Sequence, residues 1–342
     1  MSSEKTPTRP TTVRLQKMSW AFTQSAVLFG AIEVGFFTAV SNSGGSDETI
    51  AEALGMTLPN AQRMIVALLT LDLIERDEDG VGFHNAPDVE RFLVQDQPSY
   101  AGAWVHWFHH QWGAWGELGE RLGASGDEKN LGFYTEGFTE AHARRYHQAT
   151  ASVGMGAARK FLREVDLTGR HKILDLGGGS GAYSIQAAKQ YAEIEAVVLD
   201  LPEVVVISRE FIAENDLSDR VTAQPCDFTA DPFPGGADVI LMNSNLPQYS
   251  GAVIQGVVQK AFDALEPGGE MHICGEMINE DWHGPLIPAM CAIHGVLFNS
   301  TALPHRPSEC IGYFEAAGFV DVSVREFIPD ILQHITGRKP KI

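Results

Sequence analysis

The 342-residue chain is short of basic residues, and this shortage excludes whole classes of partner. Its 25 Lys and Arg stand against 44 Asp and Glu, which gives a formal net charge of −19 spread along the sequence. Such a chain is repelled by nucleic-acid phosphates and by anionic membrane surfaces. We therefore expect no nucleic acid and no membrane among its partners.

Cysteine and long apolar runs are also scarce. The chain has four cysteines, and none lies in a CxxC pair that would indicate a zinc site or a redox couple. No apolar run approaches the roughly 20 residues that cross a bilayer, and the first residues are polar. These absences predict reduced thiols and a cytoplasmic location.

The N-terminal part of the chain shows helical periodicity. Residues 1–12 are rich in Ser, Thr and Pro, which predicts a disordered tail. From about residue 13 to 41 the apolar positions recur at helical spacing, and they exceed what a surface helix buries. A short helix, a second helix at about 59–71 and a hairpin turning at 77–80 should follow, which is the order of a winged helix. Since the second helix carries a single Arg, we interpret residues 13–97 as a winged-helix domain that forms a homodimer and does not read DNA.

Residues 98–165 are helical in pattern and unusually aromatic, and we interpret them as a linker lining a substrate chamber. Three histidines, His106, His109 and His110, have the i, i+3, i+4 spacing of one helix face. A metal site is the alternative interpretation. Because no carboxylate in this segment completes the ligand set and the aromatic neighbours favour packing, no metal is expected.

After about Thr168, short β-rich runs alternate with helical ones. The strands are HKILDLGG, EAVVLDLP, RVTAQPCDF, ADVILMNS and GGEMHICGEMI, separated by segments of crossover-helix length. Helices are expected at 182–191, 204–215, 254–264 and 308–317. The fold class is accordingly α/β, with a Rossmann-like, doubly wound parallel sheet over residues 166–342.

The first of these strands runs through LDLGGGSG into a helix. Gly177 and Gly179 let a ligand approach the backbone near a helix N-terminus. Asp200 ends the next strand, where its carboxylate can accept both hydroxyl hydrogens of a ribose. One strand later, Asp227 offers an acceptor for an adenine amino group beside the ring of Phe228. A nicotinamide enzyme would share the first two features, but the mid-chain motif and the Asp-Phe pair fit S-adenosylmethionine (SAM) better.

With these motifs the chain resembles the plant-type, or caffeate-type, small-molecule O-methyltransferase family from about Arg14 to Phe327. VVLDLP, CDFTADPFP, ADVILMNSNLPQYS, LEPGGEMHICGEMI and FEAAGFVDVSV carry the resemblance beside LDLGGGSG. It implies a class I methyltransferase that releases S-adenosylhomocysteine and acts on a small molecule, with Tyr146 near the transferred methyl group. The residues implied to bind SAM are Gly177, Gly179, Asp200, Leu201, Asp227, Phe228 and Asn243.

One departure from that family concerns the base. Members that methylate oxygen carry a His-Asp-Trp-like triplet after the fourth strand, and its His removes the hydroxyl proton. The corresponding residues here are Pro247, Gln248 and Tyr249, and proline cannot act as a base. A positioned base contributes about 10²- to 10⁴-fold to methylation of an alcohol or phenol, whereas a thioether sulfur has no proton to lose. We therefore expect no general base.

The missing His and the segment FLREVDLTGRHKILDLGGGSGAYSI resemble the methylthiohydroxybutyrate S-methyltransferases of bacterial dimethylsulfoniopropionate (DMSP) synthesis. That resemblance implies methylation of 4-methylthio-2-hydroxybutyrate on sulfur. The acceptor would need an aromatic box, together with hydrogen-bonding or cationic side chains. The candidates are Tyr134, Arg144, Arg145, Tyr146, His147, Gln248, Tyr249 and His294.

Three alternatives stay open. An O-, N- or C-methyltransferase of a secondary-metabolite pathway would use His294 as its base, or His305 relocated beside Glu276, with Tyr146 as a further catalytic candidate. An enzyme in which bound SAM acts electrostatically would move no methyl group. A SAM-responsive regulator would use the winged helix on DNA, against the net charge of −19.

Overall fold

The computed structural model describes residues 10–78, 80–123, 138–298, 300 and 302–341. The chain divides into two compact units, with the boundary between His109 and His110. This boundary lies inside the segment 98–165 that the sequence analysis assigns to a linker.

Unit 1 is mainly helical. Its elements are α1 (Val13–Glu33), α2 (Phe36–Ser43), α3 (Asp47–Ala53), α4 (Leu58–Thr70), β1 (Ile74–Arg76), β2 (Phe83–Asn85), α5 (Pro87–Leu93) and α6 (Gly102–Trp107). The helix–turn–helix–hairpin order matches the prediction for this part of the chain. The apolar stretch at 13–41 is divided between two helices, because Gly35 adopts φ +71°, a left-handed conformation that ends one helix before the next begins.

The core of unit 1 gathers where these helices meet the hairpin. Phe36 and Phe37 of α2 pack with Ile50 of α3, Leu68 of α4 and Ile74 of β1, all of them buried. Among the described residues, no single helix is long and apolar enough to cross a membrane. Taken together, α1 and α2 are long and apolar enough, but the chain bends by 60° between them.

Unit 2 begins with short helices and continues as alternating strands and helices. Its helices are α7 (Trp112–Gly116), α8 (Leu118–Gly123), α9 (Glu140–Glu164), α10 (Ala182–Gln190), α11 (Pro202–Glu214), α12 (Gly251–Ala264), α13 (Leu286–His294) and α14 (Pro307–Ala317). Its strands are β3 (Lys172–Leu176), β4 (Glu195–Asp200), β5 (Val221–Pro225), β6 (Ala237–Asn243), β7 (Leu265–Gly275), β8 (Val320–Ile328) and β9 (Leu332–Arg338). The described parts of the segment 98–165 therefore form several helices, with a 3₁₀ turn at Phe108–Gln111.

The seven strands of unit 2 form one sheet in the order β5-β4-β3-β6-β7-β9-β8. The first five are parallel, and β9 runs antiparallel to both β7 and β8. The predicted parallel strands are all present, whereas β8 and β9 were not predicted. Their signal is weak, because β8 is an edge strand with mostly exposed side chains and lacks a continuous apolar run.

Apolar side chains cover both faces of this sheet. Leu174 and Ile273 pack against α12 and α14 on one face, while Ile173 and Leu241 pack with Phe161 of α9 on the other. Burial on both faces is typical of parallel strands joined by crossover helices. The chain order reverses at β3, which lies between β4 and β6, so the crevice at the carboxyl ends of these strands is the expected ligand position.

Candidate active site

The glycine turn after β3 is closely packed by neighbouring side chains. Gly177 and Gly179 have φ of +59° and +58°, which favours glycine. A Cβ on Gly177 would lie 2.7 Å from Nδ2 of Asn245 and 2.9 Å from Cε1 of Phe228. The Gly177 N–H donates to the carbonyl oxygen of Leu199 at 2.7 Å, which fixes the turn against β4. A side chain at Gly177 would therefore require Asn245 or Phe228 to move.

Asp200, the last residue of β4, is held against this turn. Its Oδ2 accepts from the N–H of Gly179 at 2.8 Å, and its Oδ1 accepts from the N–H of Leu201 at 2.8 Å. Burial raises the pKa of Asp200 to about 6, although the two N–H donors act in the opposite direction. Each carboxylate oxygen has a second lone pair, so two ribose hydroxyls can still donate to it.

Two neighbouring residues of α9 reach the same turn. The ring of His147 covers Gly179, its Nε2 is buried with no hydrogen-bond partner among the described residues, and burial lowers its pKa to about 4. Tyr146 meets this ring edge to face, with centroids 5.1 Å apart. Burial raises the pKa of Tyr146 to about 12, helped by the nearby carboxyls of Glu276 and Asp200. The predicted residues Tyr146 and His147 are thus beside the glycine turn.

The turn after β5 presents Asp227 and Phe228. Phe228 is buried, and its ring meets that of Tyr249 edge to face at 5.3 Å between centroids. Asp227 is exposed, and its Oδ1 accepts from the backbone N–H and the hydroxyl of Thr229 at 2.9 and 2.6 Å. The Oδ2 accepts no hydrogen bond that the described residues provide, so it can receive an amino group.

Two asparagines mark the end of β6. Both Oδ1 and Nδ2 of Asn243 are buried and find no partner within the described part of the chain. Native proteins pair nearly all buried polar atoms, so an unpaired buried amide at the end of a strand indicates a ligand position. Nδ2 of Asn245 donates to the carbonyl oxygens of Asn243 and Gly177 at 2.9 and 3.3 Å, which links β6 to the glycine turn. Sequence analysis singled out Asn243 but missed Asn245, whose only signal is its place just after a strand end.

The turn that follows carries Gln248 and Tyr249. The Oε1 of Gln248 is buried and unpaired among the described residues, while its Nε2 donates to the carbonyl oxygen of Ser244 at 3.3 Å. Tyr249 is also buried, and burial raises its pKa. Both predicted residues therefore lie beside the crevice, with Gln248 offering an acceptor.

His305 does not form the relocated pair with Glu276. It is buried, its Nε2 donates to the carbonyl oxygen of Tyr249 at 2.9 Å, and its Nδ1 faces the hydroxyl of Tyr313 at 3.3 Å. Burial lowers its pKa, so the ring is held neutral. The predicted pair is wrong because both ring nitrogens already have protein partners.

Glu276, immediately after β7, is a separate buried acid. Its Oε2 has no hydrogen-bond partner among the described residues, and burial raises its pKa to about 7. Its charge also raises the pKa of Tyr146 and of Cys291, which lies on α13. These three residues therefore lie near one another, and Tyr146 also lies near Asp200 beside the glycine turn. No pattern in the sequence singled out Cys291.

Of the two arginines proposed to bind a substrate carboxylate, Arg144 is already paired with carboxylates of the protein. The Arg144 guanidinium forms ion pairs with Glu210, by Nη2 to Oε1 at 2.9 Å and by Nη1 to Oε2, and with Oε1 of Glu140 at 2.9 Å. Arg145 is exposed. The prediction for Arg144 is wrong because two carboxylates already neutralise its guanidinium, whereas the one for Arg145 stays a prediction.

His294, a predicted substrate and base candidate, lies among aromatic side chains of unit 2. The Nε2 of His294 donates to Oε1 of Gln111 at 2.7 Å, its ring stacks on Trp115 with centroids 5.9 Å apart, and Phe298 meets it edge to face. Burial lowers the pKa of His294. The remaining substrate candidate, Tyr134, lies outside the described residues.

Comparison with known proteins gives a consistent assignment. A family model described as an O-methyltransferase domain matches residues 123–320. The chain is 26% identical to the tetracenomycin polyketide synthesis 8-O-methyl transferase TcmO of Streptomyces glaucescens, over 95% of this chain and 96% of that protein. It is 26% identical to the N,N-dimethyltransferase OxyT of Streptomyces rimosus, over 83% and 81%. The crystal structure of human N-acetylserotonin methyltransferase in complex with SAM has the same fold, with a TM-score of 0.80, 21% identity and coverage of 98% and 100%.

Proposed function

Because the chain belongs to the O-methyltransferase domain family and is a SAM-dependent methyltransferase, we propose that its acceptor is the thioether of 4-methylthio-2-hydroxybutyrate. A lone pair of the thioether sulfur forms the new carbon–sulfur bond while the bond from the methyl group to the sulfonium of SAM breaks. The products are S-adenosylhomocysteine and a dimethylsulfonio acid, a step of DMSP synthesis. No proton leaves the acceptor.

The residues around the glycine turn fit SAM. We assign the main chain at Gly177 and Gly179 to contact with the cofactor, since both residues have a positive φ at the turn where β3 ends, next to Asp200. Asp200 accepts from the ribose, with the N–H of Leu201 orienting its carboxylate. The adenine is assigned to Asp227 and Phe228, and the unpaired amide of Asn243 is assigned to a polar group of the ligand. When bound, SAM supplies an electrophilic methyl group.

The observation that carries the thioether assignment is that, among the described residues, no imidazole is available where β6 ends. Pro247 stands there, and His305 is engaged through both nitrogens. The imidazole of His147 lies against Gly179 and has a pKa of about 4, so it is a weak base. Displacement by a sulfur lone pair requires only alignment and removal of water.

The space beside the glycine turn offers groups suited to such an acceptor. The ring of Tyr146 presents a π face to a developing sulfonium, and Oε1 of Gln248 presents an oxygen dipole. Glu276, whose pKa is about 7, is partly protonated at neutral pH. A neutral carboxylic acid donates a hydrogen bond, so Glu276 can bind the substrate carboxylate without an arginine.

A second candidate reaction is favoured by the same Glu276. A buried carboxylate with a pKa of about 7 and an unpaired oxygen is also suited to remove a proton from a hydroxyl or an amine. The relatives TcmO and OxyT are named as O- and N-methyltransferases. The second candidate is therefore an O- or N-methyltransferase with Glu276 as its base.

The deciding experiment is an acceptor panel. The purified enzyme is incubated with SAM and one acceptor at a time: 4-methylthio-2-hydroxybutyrate, a catechol, a naphthol or a primary amine. The products are identified by mass. We expect kcat/KM to be highest for the thioether, with one S-adenosylhomocysteine released per sulfonium formed. A faster reaction of any hydroxyl or amine acceptor would replace the first proposal by the second.

We also propose that the enzyme is a cytoplasmic homodimer with the domain division set out from the sequence. The support is the exposed apolar surface of α1, where Val13, Leu15, Met18 and Trp20 are 56%, 56%, 64% and 70% exposed. Apolar area of this kind is typical of an interface between subunits. Sedimentation of wild type and of Met18→Asp tests this, and a monomeric wild type would contradict it.

A further inference from the structure

Three metal-ligand side chains meet in unit 1, far apart in sequence. Glu33 is the last residue of α1, His106 lies on α6 and His109 lies in the 3₁₀ turn that follows. The Oε1 of Glu33 is 2.7 Å from Nε2 of His106 and 3.2 Å from Nδ1 of His109. One donor atom from each residue lies within 4.8 Å of both others.

This donor set has the composition of a zinc site. Two imidazole nitrogens and one carboxylate oxygen are ligands that Zn²⁺ takes in proteins, at about 2.0–2.2 Å. Donors around a tetrahedral ion lie about 3.3 Å apart, so the present spacing requires only small side-chain rotations. The side chains of Glu33 and His109 are 46% and 45% exposed, which leaves room for a water molecule as a fourth ligand.

The packing beneath these residues orients both imidazoles. Phe29 lies one helical turn before Glu33 and is buried. Its ring centroid is 5.7 Å from that of His106 and 5.6 Å from that of His109, and the two imidazoles are 5.0 Å apart. An apolar residue that fixes the ring planes reduces the conformational entropy lost when an ion is bound.

We propose that Glu33, His106 and His109 bind a first-row divalent metal ion, with Zn²⁺ as the expected occupant. Each histidine ligates through the nitrogen that now faces Glu33, and the ion joins the end of α1 to α6 and the turn after it. The carboxylate missing from the aromatic segment is thus supplied by a helix more than seventy positions earlier in the chain. The site lies wholly within unit 1 and is independent of the acceptor of methyl transfer.

The test uses the full chain without a histidine tag, freed of metal by chelator and returned to buffer. Bound metal after dialysis against Zn²⁺ is counted by mass spectrometry of the metal, and Co²⁺ is added separately to record its visible absorption. We expect one ion per chain, a tetrahedral cobalt spectrum, and a thermal midpoint raised by a few degrees, because an ion that binds only the folded state stabilises it.

Three variants make the result specific. Glu33→Gln keeps the shape of the side chain and removes its charge, His109→Gln removes an exposed ligand, and His110→Gln is the matched control at the next position. We expect the first two to weaken Zn²⁺ binding on the order of 100-fold and the control to keep it. The proposal is overturned if the wild type takes up no stoichiometric metal at micromolar Zn²⁺, or if all three variants bind like the wild type. Circular dichroism and SAM binding, measured in parallel, show that each variant is folded.

Discussion

The imidazole of His147 occupies the space that a side chain on Gly179 would need. A Cβ on Gly179 would lie 2.6 Å from Cε1 and 2.8 Å from Nδ1 of that ring. The glycine is therefore required by the protein's own packing as well as by its φ of +58°. The glycine turn and α9, which also carries Tyr146, therefore pack closely against each other.

Gly179→Ala should consequently weaken SAM binding by more than about 10-fold, since a positive φ alone costs about 1–3 kcal/mol and the ring must also move. Titration calorimetry with SAM measures the effect. The control is Gly156→Ala in α9, where nothing lies within 4 Å of the added Cβ. Equal affinities of the two variants would show that the turn does not contact the cofactor.

Asp200 and Asp227 should contribute unequally to SAM affinity. Asp200 is buried and accepts hydrogen bonds through both oxygens, while Asp227 is exposed. Hydrogen bonds to a buried charge contribute about 1.5–3 kcal/mol, so Asp200→Asn should weaken SAM binding about 10- to 150-fold. Asp227→Asn should weaken it only a few-fold. Calorimetry measures both affinities, and a larger loss of SAM affinity in Asp227→Asn than in Asp200→Asn would contradict the roles assigned to the two carboxylates.

Glu276→Gln separates the two candidate reactions. If Glu276 only donates a hydrogen bond, its amide replacement keeps a donor, kcat/KM for the thioether falls less than about 10-fold, and any inflection of the rate near pH 7 disappears. If Glu276 is a base, activity falls about 10²- to 10⁴-fold. Initial rates between pH 5.5 and 8.5 for both proteins measure this, with SAM affinity as the control for folding.

A buried histidine pair should make unit 2 sensitive to acid. Nδ1 of His272 and Nε2 of His334 are 2.9 Å apart, and burial, with His272 and Arg325 nearby, lowers the pKa of His334 to about 3 from the ordinary 6.5. Between these values the unfolded chain binds the extra proton. The stability contribution is therefore complete above pH 6.5 and is lost as the pH falls toward 3.

We expect His334→Asn to reduce the slope of unfolding free energy against pH by about 1.4 kcal/mol per pH unit between pH 6 and 4. Urea unfolding followed by circular dichroism across that range measures the slope. The control, His283→Asn, removes an exposed imidazole from the same unit. An unchanged slope in His334→Asn would mean that His334 is already protonated in the folded protein across this range.

Much of the proposed cofactor site was predictable because it is built from strand ends. In a parallel sheet the carboxyl ends meet at one edge, so residues that end a strand, such as Asp200 and Asn243, or follow one directly, such as Gly177, come together whatever the details of packing. The periodicity of buried strands and amphipathic helices is local, so it could be found without coordinates. The edge strand β8 escaped prediction because it lacks that continuous apolar run, and β9 because polar residues interrupt the apolar ones in LQHITGR.

The acceptor side was predicted less well because it depends on partners that no local pattern reveals. Its position before Tyr146 predicted that Arg144 binds the substrate carboxylate, but Arg144 pairs with Glu210, which is 66 positions away in the chain. His305 was a candidate for a relocated general base, but its two ring nitrogens contact the hydroxyl of Tyr313 and the carbonyl oxygen of Tyr249.

The sequence by itself determined the α/β order, the Rossmann-like sheet, the dependence on SAM and the absence of the usual imidazole after β6. Those properties follow from residue type, spacing and chain order, which are local. Only the tertiary structure decided that His147 covers Gly179, that Glu276 is a lone buried acid, and that Glu33 joins His106 and His109. Contacts of that kind arise from packing between elements distant in the chain, where burial and the competition for hydrogen-bond partners select one arrangement among many.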